Sequence, residues 1–118
     1  MACWRRLEKQ YLPQKDYDEI DFLERGGWWM RQLHIFLDPF YYIDYTLAQV
    51  VALQFWSRLQ HKDPHAFDDY VAMAKCGGTK TFRELVAISK NTVPFEEGCL
   101  KETMNDVKEW FAQHEMSE

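Results

Sequence analysis

The sequence lacks most of the patterns that usually announce catalysis or attachment. Its 118 residues hold no Cys-x-x-Cys, and the three cysteines, Cys3, Cys76 and Cys99, are odd in number and far apart. That argues against a disulfide framework and a thiolate zinc site, so a reducing, cytoplasmic setting is the simplest expectation. There is no cluster of Lys or Arg: 14 basic residues face 19 acidic ones, for a net charge of -5. An acidic chain without a basic patch is expected to have no nucleic acid and no membrane surface as partner. No apolar run follows Met-Ala-Cys-Trp-Arg-Arg, so no signal peptide is expected at the start. The longest apolar stretch, Tyr45 to Trp56, is broken by Thr46, Gln49 and Gln54 and is shorter than the roughly 18 to 20 residues of a membrane span. Gly-x-Ser-x-Gly, a phosphate loop, a dinucleotide fingerprint, repeats and low-complexity tracts are all missing.

What is present is apolar and aromatic. Hydrophobic residues make up 47% of the chain, aromatic residues 16% and charged residues 28%. This composition belongs to a folded protein rather than a disordered one, and the length suits a single domain over 1–118. No stretch reads convincingly as a strand. The pattern predicts an all-α fold, a compact multi-helix bundle of five or six helices.

Ala2 to Leu12 reads as a short helix stopped by Pro13, followed by an acidic loop to Asp21, which caps a turn at Phe22. Gly26-Gly27 interrupts that turn, and Trp28 to Phe36 is predicted as helix. Asp38-Pro39 marks a turn or helix start. Tyr41 to His61 is the strongest helix, with apolar residues on nearly every face, which predicts burial on all sides. The side carrying Tyr42, Tyr45, Gln49 and Trp56 is the one a small bundle leaves uncovered. Asp63-Pro64 is expected to open the next helix, with Asp63 as cap, and Gly77-Gly78 to end it. Thr81-Phe-Arg-Glu84 has the form of a capping box before a helix over Phe82 to Ser89. Thr92-Val-Pro-Phe-Glu-Glu is another start signal. From Gly98 to about Gln113, Leu100, Met104, Val107, Trp110 and Phe111 fall at the spacing of an amphipathic helix.

Three sets of residues have chemical potential. His61 and His65 are four apart, as two metal ligands on a helix would be, but Pro64 lies between them and Lys62 stands where a Glu would complete a metallopeptidase motif. Two solvated histidines at a helix junction are the simpler reading, and His114 lies in a polar tail. Cys76 precedes Gly77-Gly78 and reads as a buried or C-cap cysteine rather than a nucleophile. Tyr41, Tyr42 and Tyr45 crowd one turn, with His34 shortly before. Such residues often simply pack, yet phenols and imidazoles also donate hydrogen bonds to a developing oxyanion, and one donor is worth roughly 3 kcal/mol.

One stretch is more specific. Phe22-Leu-Glu-Arg-Gly-Gly-Trp-Trp-Met-Arg-Gln-Leu-His-Ile-Phe36, then Pro39-Phe-Tyr-Tyr-Ile-Asp-Tyr-Thr-Leu-Ala-Gln-Val-Val-Ala-Leu-Gln-Phe-Trp56, resembles the C-terminal part of the catalytic domain of the oligoendopeptidase F family. The similarity continues through Lys75-Cys-Gly-Gly-Thr79 and Pro94-Phe-Glu-Glu-Gly98, and the family is more distantly similar to thimet oligopeptidase and neurolysin. The resemblance implies a zinc metalloendopeptidase acting on short peptides in a mostly helical fold. In that family the two histidines of His-Glu-x-x-His and a downstream glutamate hold zinc, and the motif glutamate is the general base. A later histidine and tyrosines bind substrate and stabilise the tetrahedral intermediate.

By that resemblance His34, Tyr42 and Tyr45 are the catalytic residues. His34 contacts the substrate backbone, Tyr42 and Tyr45 are carbonyl or oxyanion donors, and Tyr41 is a substitute in substrate binding. Which tyrosine takes which role is left open. The chain departs from the family in having no His-Glu-x-x-His and no third zinc ligand in context. No metal ligand and no bound cofactor is therefore expected of this chain, zinc belonging to the full-length enzyme, and activity alone is not expected. Two classes of function follow. One is a peptidase segment that needs the zinc-binding part; the other is a non-catalytic helical remnant that binds peptide or forms a homo-oligomer through its surplus apolar surface.

Overall fold

A computed structural model describes residues 1–114. Among them every regular element is helical. They are α1 (Ala2–Tyr11), α2 (Asp21–Glu24), a 3-10 turn (Gly27–Arg31), α3 (His34–Leu37), α4 (Tyr42–Gln60), α5 (Ala66–Lys75), α6 (Phe82–Ile88) and α7 (Cys99–Gln113). The all-α expectation holds: five of these α-helices have seven residues or more. The chain divides into two compact units, Met1–Ile43 and Asp44–Glu118.

The first unit is organised by polar groups. α1 stops where the Leu12 N–H closes on the Glu8 carbonyl, one residue before Pro13. The Tyr17 hydroxyl, on a buried ring, donates to Glu8 Oε1 at 2.6 Å, and Lys15 Nζ lies 3.3 Å from the same oxygen. Burial pushes the Glu8 carboxyl up, but the hydrogen bonds from Tyr17 and Lys15 hold the group below its usual range. Arg5 joins α1 to α2 through two bonds to Glu24, at 2.7 and 2.9 Å.

Gly26-Gly27 has a steric reason. Gly26 sits at φ 91°, and a Cβ there would lie 2.2 Å from the Met1 carbonyl oxygen; at Gly27 it would meet the Phe22 ring at 2.3 Å. The segment predicted as one helix, Trp28 to Phe36, is instead the 3-10 turn and the separate short helix α3. The extended Gln32, at ψ 91°, divides them. Its large aromatic residues have no helical period to bury one face, so no single helix is stabilised.

In the second unit, Val51 and Phe55 of α4, Val86 of α6 and Val93 form the apolar centre, with Met73 of α5 and Phe82 packed against it. The Tyr70 ring meets Phe55 edge-on at 5.5 Å. α6 starts with the predicted capping box: the Glu84 N–H donates to Thr81 Oγ1, and the Thr81 N–H donates to Glu84 Oε2 at 2.8 Å. α5 begins at Ala66, two residues later than Asp63-Pro64 suggests. Asp63 does not cap it; its Oδ1 accepts from the His65 N–H and its Oδ2 is taken by Arg58.

Thr92 to Glu97 forms no helix. Gln54 holds that stretch beside α4: its side-chain amide donates to the Thr92 carbonyl at 2.9 Å and accepts from the Thr92 N–H at 2.8 Å. A primary amide can satisfy both polar groups of a residue outside any ladder.

α4 is buried along less of its surface than its composition predicts. Val50, Val51, Phe55 and Ser57 are buried, while Tyr42, Ile43, Tyr45 and Leu59 stay half exposed. Tyr42, Tyr45 and Gln49 do lie exposed, as expected, but Trp56 is partly covered by an edge-on contact with Trp110 of α7 at 6.0 Å. Among the described residues no helix is long and apolar enough to cross a membrane.

Candidate functional site

The first unit brings three of the four singled-out residues together. Leu33 precedes α3 in helical geometry, so His34 opens that helix. Phe40, at φ 69°, then turns the chain sharply ahead of α4. This reversal places the His34 ring 5.6 Å from the Tyr41 ring and 5.3 Å from the Tyr42 ring, centre to centre. His34 is half-buried, and both tyrosines keep about half of their surface open. Tyr45 follows Tyr42 by three residues in α4, belongs to the second unit and is 53% exposed. An imidazole beside two partly exposed phenols is suited to donating hydrogen bonds to a carbonyl oxygen.

The second unit carries an apolar cleft of about 670 Å³ that the sequence did not single out. Leu47 and Ala48 of α4 line it with Phe82 and Phe95, and Asp44, Thr81 and Arg83 supply its polar groups. Its residues come from three separate stretches of chain, which is why no local motif marks it. A cleft of this kind accepts an apolar side chain flanked by polar groups.

Among the described residues no three His, Cys, Asp or Glu side chains group closely enough to hold a metal ion. His61 and His65 are separated by Lys62 at φ 57°. His61 Nδ1 lies 2.9 Å from the Ser57 carbonyl, and His65 is the residue before α5. His114 stacks on Trp110 at 4.4 Å. Cys76 ends α5 as a half-buried C-cap, and Cys99 is buried, which pushes its thiol up.

A second polar cluster centres on Arg58. Its guanidinium binds Asp63 Oδ2 at 2.7 Å, Asp69 Oδ2 at 2.5 Å and the Ser89 carbonyl at 2.8 Å. Arg58, and then Lys90 at 3.0 Å, hold the Asp69 carboxyl below its usual range. With every charge matched, this cluster reads as a structural joint.

No protein-family model matches the chain, and no curated protein matches it significantly. Two solved structures do. A 3.1 Å crystal structure of an oligoendopeptidase F is 50% identical over 92% of this chain, with a TM-score of 0.81. PZ peptidase A, solved with an inhibitor, is 46% identical over 93% of this chain, with a TM-score of 0.82. The match takes in 19% of the first protein and 20% of the second, so the chain spans about a fifth of their length. With about half of its residues identical over nearly all of its length, the chain belongs to the family of oligoendopeptidase F and PZ peptidase, metallopeptidases of which it matches a C-terminal portion.

Proposed function

We propose that this chain forms a substrate-facing wall of an oligoendopeptidase F-type peptidase acting on short peptides. The observation that carries the reading is the packing of His34 against Tyr41 and Tyr42 at 5.6 and 5.3 Å, within the stretch that resembles the family signature. His34 holds the peptide backbone. Tyr42 and Tyr45, one helical turn apart in α4, present hydroxyl donors to the scissile carbonyl, and Tyr41 supports substrate beside them. Donors fixed in place before reaction stabilise charge as it develops, without the cost of reorienting solvent.

Among the described residues no side chains group as a zinc site, which supports the reading that zinc in such an enzyme is held by the portion outside this chain. What this chain contributes is binding, orientation and hydrogen-bond donation. Alone, it is expected to show no hydrolysis of a short fluorogenic peptide with or without added zinc.

The test joins this chain to the remaining four-fifths of an oligoendopeptidase F and follows hydrolysis of an internally quenched peptide. Tyr42→Phe or Tyr45→Phe should lower kcat by about 10²- to 10³-fold if the lost hydroxyl is an oxyanion donor. His34→Ala should act mainly on KM. Unchanged kinetics in all three variants would sink the reading.

A further inference from the structure

We infer that the outward stripe of α7 is a docking surface for an amphipathic helix from the part of the peptidase that this chain does not contain. The inference rests on the family assignment. α7 has two faces about 100° apart. One carries Cys99, Thr103, Asp106 and Trp110 and packs on α4. Gln54 Nε2 lies 3.4 Å from Cys99 Sγ, Ser57 bonds Asp106, and Trp56 meets Trp110. The other carries Leu100, Met104, Val107 and Phe111, at spacings of four, three and four. It is the more apolar of the two, yet Leu100 is 54% and Phe111 61% exposed, with Met104 and Val107 between them half-buried.

The helix therefore turns its mixed face inward and leaves both ends of its apolar face open, where a surface helix would bury them. The outward stripe continues into a narrow apolar cleft of about 210 Å³ between Leu53 and Trp56 of α4 and Val107, Trp110 and Phe111 of α7. The stripe is about 16 Å long, three turns of helix. A partner helix of that length fits it ridge into groove.

Charge specifies the partner further. By helical spacing the exposed Lys101 and Lys108 border the stripe on the side away from α4. A partner helix with carboxylates beside its apolar positions complements them. An antiparallel second copy of α7 would instead bring two pairs of lysines to one edge. The chain also spans only about a fifth of the related peptidases, which leaves four-fifths of such an enzyme to supply the partner helix.

The test is co-expression of this chain with the tagged remaining four-fifths of an oligoendopeptidase F, read as stoichiometric co-purification. The wild-type chain should co-purify. Leu100→Glu with Phe111→Glu should cut recovery at least tenfold, and Lys101→Glu with Lys108→Glu should cut it severalfold and remove its salt dependence. Phe67→Glu, an equally exposed position on α5, should leave recovery unchanged. Because the two lysines are exposed, their reversal tests the surface without disturbing the fold.

No co-purification, or recovery indifferent to the stripe, overturns the proposal. So does a dimer of this chain alone, seen by light scattering and abolished by Leu100→Glu. A complex that forms through the stripe but cleaves no peptide removes the proposed function and leaves this surface standing.

Discussion

Phe55→Ala should be among the most damaging single changes in the second unit. The ring is 8% exposed, belongs to the centre formed with Val51, Val86 and Val93, meets Tyr70 edge-on and lies 5.7 Å beneath the Arg58 guanidinium. Truncating a buried Phe costs about 3 to 5 kcal/mol through lost transfer energy and the cavity left behind. A unit of this size has roughly 4 to 11 kcal/mol of stability in total. The substitution therefore removes about a quarter of it at the least, and at the low end of that range it unfolds the unit.

The contrast is Phe67→Ala, whose ring is 67% exposed and should cost less than about 1 kcal/mol. Urea unfolding followed by far-UV circular dichroism separates the two. With a slope of about 1 to 2 kcal/mol per molar urea, Phe55→Ala should lower the midpoint by about 1.5 M or more. A shift under about 0.5 M, or equal shifts in the two variants, would refute the assignment of the core.

Gly26→Ala should destabilise the first unit by about 2 kcal/mol or more, because it adds left-handed strain to a 2.2 Å clash with the Met1 carbonyl; thermal melts should show it, and an unchanged Tm would count against this close approach. Thr81→Ala should cost about 1 kcal/mol by opening the capping box, while Thr81→Ser should cost little, as read from paired urea midpoints. The carboxyls of Glu8, Asp63, Asp69 and Glu84 are all held below their usual range, so their stabilisation is complete above about pH 5 and is lost as pH falls through their depressed values. Urea midpoints should be flat above that pH and fall in acid, with Asp69→Asn giving a shallower acid limb. Tyr17, raised by burial, and Lys15, raised by Tyr17 and Glu8 beside it, act in the opposite direction. Their stabilisation is present below about pH 10 and lost above it, which a midpoint series in alkali should show.

Helices with a strong local signal were legible in the sequence. Thr81 and Glu84 specify the start of α6 within four residues, and the apolar content of Tyr41 to His61 is enough to predict α4. The elements misread either lack a clean local period or are set by a side-chain partner that no local motif shows. Gln32 breaks the helix predicted over Trp28 to Phe36 because no period favours burying one face there. Asp63 gives up its capping role because Arg58, five residues earlier, takes one of its oxygens. Thr92 starts no helix because Gln54, thirty-eight positions away in sequence, already holds both of its backbone groups.

The candidate site divides in the same way. His34, Tyr41, Tyr42 and Tyr45 were visible as a cluster of residue types, and the ring distances show that a reversal at Phe40 brings the first three together. The cleft lined by Leu47, Phe82 and Phe95 was not visible, since its walls are assembled from separate segments. The orientation of α7 was not visible either. Its spacing marks an apolar stripe correctly but does not say whether this chain or another covers it.

The Arg58 guanidinium has a consequence for how this segment can diverge. One flat cation with five fixed donor directions reaches the turn after α4, the body of α5 and the end of α6. Those three places are thereby put in a single register. An insertion or deletion in either connection would move an acceptor off a fixed vector, and a lysine, with a single point charge, has no second and third arm with which to follow it. Length variation among descendants of this chain should therefore collect elsewhere, as in the loop before Asp21, while the spans from Arg58 to Asp69 and from Asp69 to Ser89 keep their lengths even where their residues change.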